Sequence, residues 1–170
     1  MTGHTILGID PALGTTGYGL IRCSGNSIQL LDAGIVRCSR NRPLEKRLLE
    51  LHQGISEILE ELKPDCFAIE KLYSHYDRPT TAILMGHARG VIFLAAAQAD
   101  LAVHSYAATQ VKKTLTGNGR APKSQMQMAV MHQLALSTLP EPADVADALA
   151  IALTHHHCSQ TSAILMSRTR

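Results

Sequence analysis

No two of the four cysteines, Cys23, Cys38, Cys66 and Cys158, form a Cys-x-x-Cys pair. Isolated cysteines of this kind behave as small buried hydrophobes, so a four-thiolate zinc site is not expected. They fit a reducing, cytoplasmic setting. No run of consecutive apolar residues is long enough to span a membrane. The opening residues lack a basic region followed by an apolar stretch, so no secretory leader is expected. Repeats and low-complexity tracts are missing too. The loop Thr116-Gly-Asn-Gly-Arg-Ala-Pro122 has glycines but not the Gly-Lys-Ser/Thr of a phosphate loop. It reads instead as a mobile connection or a flexible segment that contacts a partner. One further absence is local. Residues 101–140 contain Lys112, Lys113, Arg120 and Lys123 but no Asp or Glu. The acids gather instead between Glu45 and Asp65, mostly on one helix. The net charge of +2 hides this division. A basic half suits a polyanionic partner, although a solvated face would show the same bias.

What is present fits one domain over residues 1–170, with roughly the last 12 residues a loosely ordered tail. Apolar content of 45% supports a sizeable core. Ile6, Leu7 and Ile9 form a short apolar strand that ends in Asp10-Pro11. Pro11 loosens pairing there, and Gly14, Gly17 and Gly19 let the chain turn and bring backbone close to something. Tyr18, Leu20 and Ile21 resume a strand, and Ile28–Arg37 is a third. Leucines and isoleucines from Leu44 to Leu62 recur at helical spacing, predicting a helix from about Pro43 to Leu62. Cys66-Phe-Ala-Ile-Glu70 is a fourth strand, again ending in a carboxylate. A helix separates it from the meander, so a parallel crossover is expected. Thr80–Ala99 is apolar nearly all round, which predicts a buried helix, and Gly86 and Gly90 would admit another backbone. Val103–Tyr106 is a fifth strand. Thr109 could cap a brief helix carrying Lys112 and Lys113. Helices over Ser124–Leu136 and Ala143–His156 follow. The order gives a mixed five-stranded α/β sheet flanked by helices, its first three strands antiparallel and its fourth and fifth parallel.

Four carboxylates stand out. Asp10 and Glu70 each end an apolar strand, where an unpaired charge is costly. Asp144 and Asp147 are three apart on the last helix, so they share one face. A plain alternative reads Asp10 as a turn former and the helical pair as dipole partners in the first turn. Together, however, the four would repel unless a cation held them. Mg²⁺ suits oxygen ligands, and two such ions would clamp the attacking and leaving oxygens of a phosphodiester. Mn²⁺ is the natural substitute. His155, His156 and His157 point in different directions on a helix, so they make no metal tract among themselves. A helix end would favour them for dipole reasons.

The motifs Ile-Leu-Gly-Ile-Asp-Pro with Thr-Gly-Tyr-Gly, Phe-Ala-Ile-Glu, Gln-Val-Lys, Ala-Pro-Lys-Ser-Gln and Ala-Asp-Val-Ala-Asp-Ala-Leu-Ala occur in this order. Taken together the chain resembles, nearly end to end, the RuvC family of Holliday-junction resolvases. The resemblance implies an RNase H-like fold and a homodimer that nicks two strands of a four-way DNA junction. It implies that Asp10, Glu70, Asp144 and Asp147 bind the catalytic metal. Lys112 and Lys123 would assist at the cleaved phosphate, with Lys113 and Arg120 on the same basic DNA-binding half. Tyr73 would stack on bases near the junction centre, although it and Tyr76 could equally pack on their own loop. A branch-migration motor of the RuvA–RuvB type would be the partner. One departure is Ala12, where the family usually has Gly; a positive φ there would cost about 1 kcal/mol.

Two other enzyme classes compete. The Gly8–Gly17 hairpin resembles the phosphate-binding turn of actin and sugar-kinase-like ATP-binding proteins. Those need two lobes around a nucleotide, and they give Asp144 and Asp147 no role. An RNase H-like nuclease acting on RNA is the other. A non-enzymatic junction-binding protein would bind without metal and would not need all four acids.

Overall fold

The structure is a computed structural model, and it describes residues 3–25, 27–72 and 79–168. Five strands form one sheet: β1 (His4–Asp10), β2 (Thr15–Ser24), β3 (Ser27–Arg37), β4 (Cys66–Glu70) and β5 (Val103–Tyr106). Five helices cover it: α1 (Leu44–Leu62), α2 (Pro79–Gln98), α3 (Ala108–Thr116), α4 (Lys123–Gln133) and α5 (Ala143–Arg168). The strand order is β3-β2-β1-β4-β5. β1 to β3 are antiparallel, whereas β4 runs parallel to β1 and β5 parallel to β4. This is the mixed sheet that the sequence predicts.

Alternation along the strands divides the core. Ile6, Cys66 and Ala68 pack on one face against Leu149, Ile151 and Leu153 of α5. Leu7, Ile9, Phe67 and Ile69 face the other way, onto Leu51 and Ile55 of α1 and Ile92 of α2. Side chains two apart on a strand share a face. So Asp10 and Glu70 fall on the α5 face, at the downstream ends of neighbouring strands.

Several expectations are corrected. α2 is not a buried helix. Only Ala88, Ile92, Ala95 and Ala96 are buried, while Ile83 is 59% and Leu94 52% exposed. An all-round apolar sequence gives no preferred face, so it cannot reveal which side the chain covers. Among the described residues, nothing lies within 4 Å of a Cβ placed on Gly86 or Gly90. α2 also reaches the length and mean hydropathy, 1.4 over an 18-residue window, of a membrane span. Counting unbroken apolar residues hid this, because Thr, Gly, His and Arg interrupt the run. One of those interruptions, Arg89, is tied to the sheet.

α5 continues to Arg168 rather than ending at His156, so the three histidines sit within it and not at its end. His155 and His156 are buried. The α3 helix has Ala107, not Thr109, at its N-cap, with no side-chain cap bond; the helix follows β5 too directly for Thr109 to stand outside it. Ala12 needs no positive φ, since Lys63, Asp100 and Ala135 are the described non-glycine residues with one. Its backbone is instead gripped by Thr16, whose hydroxyl accepts from the Ala12 N–H at 3.2 Å and donates to its carbonyl at 2.5 Å.

Candidate active site

Glycines let α5 reach the sheet. A Cβ on Gly8 would strike the Ala148 carbonyl oxygen, and one on Gly17 would strike the Asp144 carbonyl. Here the missing side chain serves close approach, not a turn. Gly17 is the direct cross-strand partner of Asp10. The start of α5 therefore rests on the strand position beside Asp10. On the other side of β1, Ile9 pairs with Ile69, which places Glu70 next to Asp10 at the usual interstrand spacing of about 5 Å. Asp144 lies in the first turn of α5, and Asp147 one turn further along rather than in the first turn as well.

The electrostatics agree with this gathering. The Asp10 carboxyl is pushed up from 3.8 to about 7, first by burial, then by the charges of Asp147, Glu70 and Asp144. Burial, then Asp147, raises Glu70 as well, while Lys112 and Arg89 pull it back. Lys123 enters from the first residue of α4. Its Nζ lies 3.1 Å from Asp147 Oδ2, with both side chains partly exposed. That hydrogen bond, ahead of the charges of Asp144 and Asp10, holds the ammonium above its usual range. Glu70, Lys112, Lys123 and Asp147 line a cleft of about 270 Å³ between β4, α3, α4 and α5. A smaller cleft on the opposite side of Glu70 is lined by Asp10, Leu72, Met85 and Arg89.

Asp10, Glu70, Asp144, Asp147 and Lys123 are thus brought together, with Lys112 on the same cleft. Lys113 is not; it faces a separate shallow hollow beside Thr109 and Gly119. Arg120 is exposed, and its backbone N–H donates to Asn118 Oδ1 at 2.9 Å. Tyr73 lies outside the described residues, as does Tyr76.

Arg89 escaped the sequence reading. Its guanidinium donates to the Glu70 carbonyl and, at 2.9 Å, to Ser105 Oγ, and it stacks 4.7 Å over the Phe93 ring. It pins the end of β4 that carries Glu70. The available signal was a lone arginine in an otherwise apolar helix, where burying a charge demands a partner.

The donor set fits a hard dication. All four candidate ligands are carboxylates, and burial together with their mutual repulsion leaves Asp10 reluctant to ionise until positive charge arrives. Lys123 supplies part of that charge in the structure.

Comparison with known proteins agrees. The family model described as Crossover junction endodeoxyribonuclease RuvC matches residues 6–155. A Rhodopirellula baltica protein of that name is 57% identical over 152 residues, covering 89% of this chain and 85% of the relative. A Thermotoga maritima relative of the same name is 46% identical over 150 residues, covering 88% and 89%. The solved structure of Thermus thermophilus RuvC in complex with Holliday junction substrate superposes with a TM-score of 0.88 at 32% identity, covering 94% of this chain and 96% of that one. With its RNase H-like sheet and clustered carboxylates, this chain belongs to the RuvC family of crossover junction endodeoxyribonucleases.

Proposed function

We propose that the chain resolves four-way DNA junctions by paired, metal-dependent hydrolysis of phosphodiesters, in recombination and repair. One observation carries this most directly. Glu70 and Asp147 meet Lys123 and Lys112 in a cleft whose α3 and α4 walls contain no acidic residue, and the charges of Asp10 and Asp144 act on the same cluster. Asp10, Glu70, Asp144 and Asp147 would hold Mg²⁺, with two ions per site and Mn²⁺ as a substitute. Bound there, the metal would activate water and stabilise charge on the phosphate. Lys123 and Lys112 hold positive charge beside the acids, where a phosphate must sit. Arg89 fixes the end of β4 so that Glu70 keeps its place.

A symmetric dimer is the working unit in this reading. Each chain has one carboxylate cluster, and resolution takes two matched cuts on a nearly two-fold substrate. The uncovered apolar side of α2 around Ile83, Gly86, Gly90 and Leu94 supports it, since such a patch is costly in water. The motor partner of RuvA–RuvB type, a cytoplasmic setting, and junction contacts by Tyr73, Lys113 and Arg120 remain part of the same proposal.

The test is incubation of purified protein with a synthetic four-way junction and Mg²⁺. Symmetric nicks in opposing strands are expected. Asp10→Asn, Glu70→Gln and Asp147→Asn should bind the junction and leave it uncut. Normal cutting by Asp147→Asn, or stronger competition from structured RNA than from junction DNA, would overturn the proposal.

A further inference from the structure

The alternation that brings Asp10 and Glu70 to one end of the sheet also orders its other end. His4 shares a face with Ile6 and Asp10, and Cys66 shares it with Ala68 and Glu70. Cys66 is the register neighbour of Ile6 on the adjacent strand. Over them lies His155, eight residues beyond Asp147 on α5 and so about 12 Å further along the helix. The three side chains bring one ligand atom each to within 4.8 Å of the others. Among the described residues no other trio of His, Cys, Asp or Glu comes this close.

We propose that His4, Cys66 and His155 form a second metal site, separate from the catalytic acids, that takes a zinc-type divalent transition ion. Two imidazoles and a thiolate are the donors of a borderline-soft tetrahedral ion, and they disfavour Mg²⁺. Each ring has an oxygen beside it. His4 Nδ1 lies 3.6 Å from Asp65 Oδ2, and Asp65 is held in turn by the Thr5 N–H at 2.6 Å and hydroxyl at 2.7 Å. His155 Nδ1 lies 2.6 Å from the Tyr106 hydroxyl. His155 therefore commits Nδ1 to an oxygen, and the Asp65 carboxylate lies within ion-pair range of His4, an acid beside a histidine as in the outer shell of metal sites. Binding replaces the S–H bond of Cys66 with a metal–sulfur bond, and the proton leaves to buffer. Charges then balance locally: the ion and thiolate sum to +1, facing the Asp65 carboxylate. His4 is exposed, so ion and water can enter, and water completes the fourth position.

One further observation fits. The His155 ring lies against that of His104, tilted by 37° with centroids 4.3 Å apart, which steadies it. An ion here would clamp β1, β4 and α5 together at the end opposite the acids. The site is independent of the nuclease reading, since it uses none of its residues.

The experiment uses untagged full-length protein stripped of metal and titrated with Co²⁺ in excess Mg²⁺. One Co²⁺ per chain is expected, with the near-ultraviolet absorption of a cobalt–thiolate bond, and Zn²⁺ should abolish that absorption by displacement. Cys66→Ser should lose the band. His4→Gln, at an exposed position where folding is unaffected, should weaken binding at least about tenfold. Asp10→Asn should keep both band and stoichiometry, which separates this site from the acids. Absence of a thiolate band, a band that survives Cys66→Ser, unchanged affinity in His4→Gln, or loss of the band in Asp10→Asn would each overturn the proposal.

Discussion

Replacing Asp10 with Asn should stabilise the metal-free protein, and the gain should depend on pH in a definite sense. Asp10 holds its proton more tightly in the fold than in the unfolded chain, about 7 against 3.8. Below 3.8 both states are protonated, and the side chain costs nothing. As pH climbs from 3.8 to about 7 the fold loses stability, and above 7 the full penalty applies. The roughly thousandfold rise in proton affinity sets a ceiling of about 4 kcal/mol. Water reaches one edge of the site, so about 1–3 kcal/mol is the realistic gain for Asp10→Asn at pH 8. Chemical denaturation in EDTA at pH 5, 6.5 and 8 measures it for both proteins. The gap should widen steadily with pH. Adding Mg²⁺ at pH 8 should close it, because the ion stabilises only the protein that has the carboxylate. A gap that is flat or narrows from pH 5 to 8 would refute the idea that repulsion and burial strain this carboxylate.

The opposing charge can be removed separately. Lys123→Ala should slow junction cleavage at least about tenfold and flatten the salt dependence of binding by about one phosphate contact. An unchanged rate and slope would place the ammonium away from DNA. Gly17→Ala should cost about 2–3 kcal/mol in denaturation and also suppress cutting, since the new methyl meets the Asp144 carbonyl; full activity would refute the close-approach argument. Ala135 holds φ at 50° just beyond α4, so Ala135→Gly should stabilise by about 0.5–1 kcal/mol, read as a higher Tm with unchanged cleavage. A lower Tm would contradict it.

Strands and acids were legible for a local reason. Short apolar runs ending in Asp10 and Glu70 state both the strand and the anomaly, and each reading needs only a few neighbouring residues. The Asp144 and Asp147 pair was legible through helical spacing. Other features depend on what lies far away in the chain. Arg89 declares itself through Ser105 and the Glu70 carbonyl, neither of which periodicity can place. α2 shows the limit of composition, because a helix apolar all round looks the same whether the chain covers it or leaves it bare. Lys112 and Lys113 are adjacent in sequence, yet one faces the acids and the other turns away, as helix geometry requires. His155 looked like part of a terminal run. Its partners, His4 and Cys66, come from the far end of two strands.

The bare contact between Gly17 and the start of α5 has a mechanical meaning. Wherever a side chain spaces two elements, thermal hops among its rotamers become play in their separation. Between Gly17 and Asp144 there is no spacer and so no such play. The offset between strand and helix is set by main-chain atoms alone, the stiffest parts available. In the proposed metal-binding role, side chains must be held to about 0.5 Å, a tolerance that ordinary side-chain packing meets only with many supporting contacts. An omission serves that tolerance here, because the strand and helix that carry Asp10 and Asp144 meet through main chain alone.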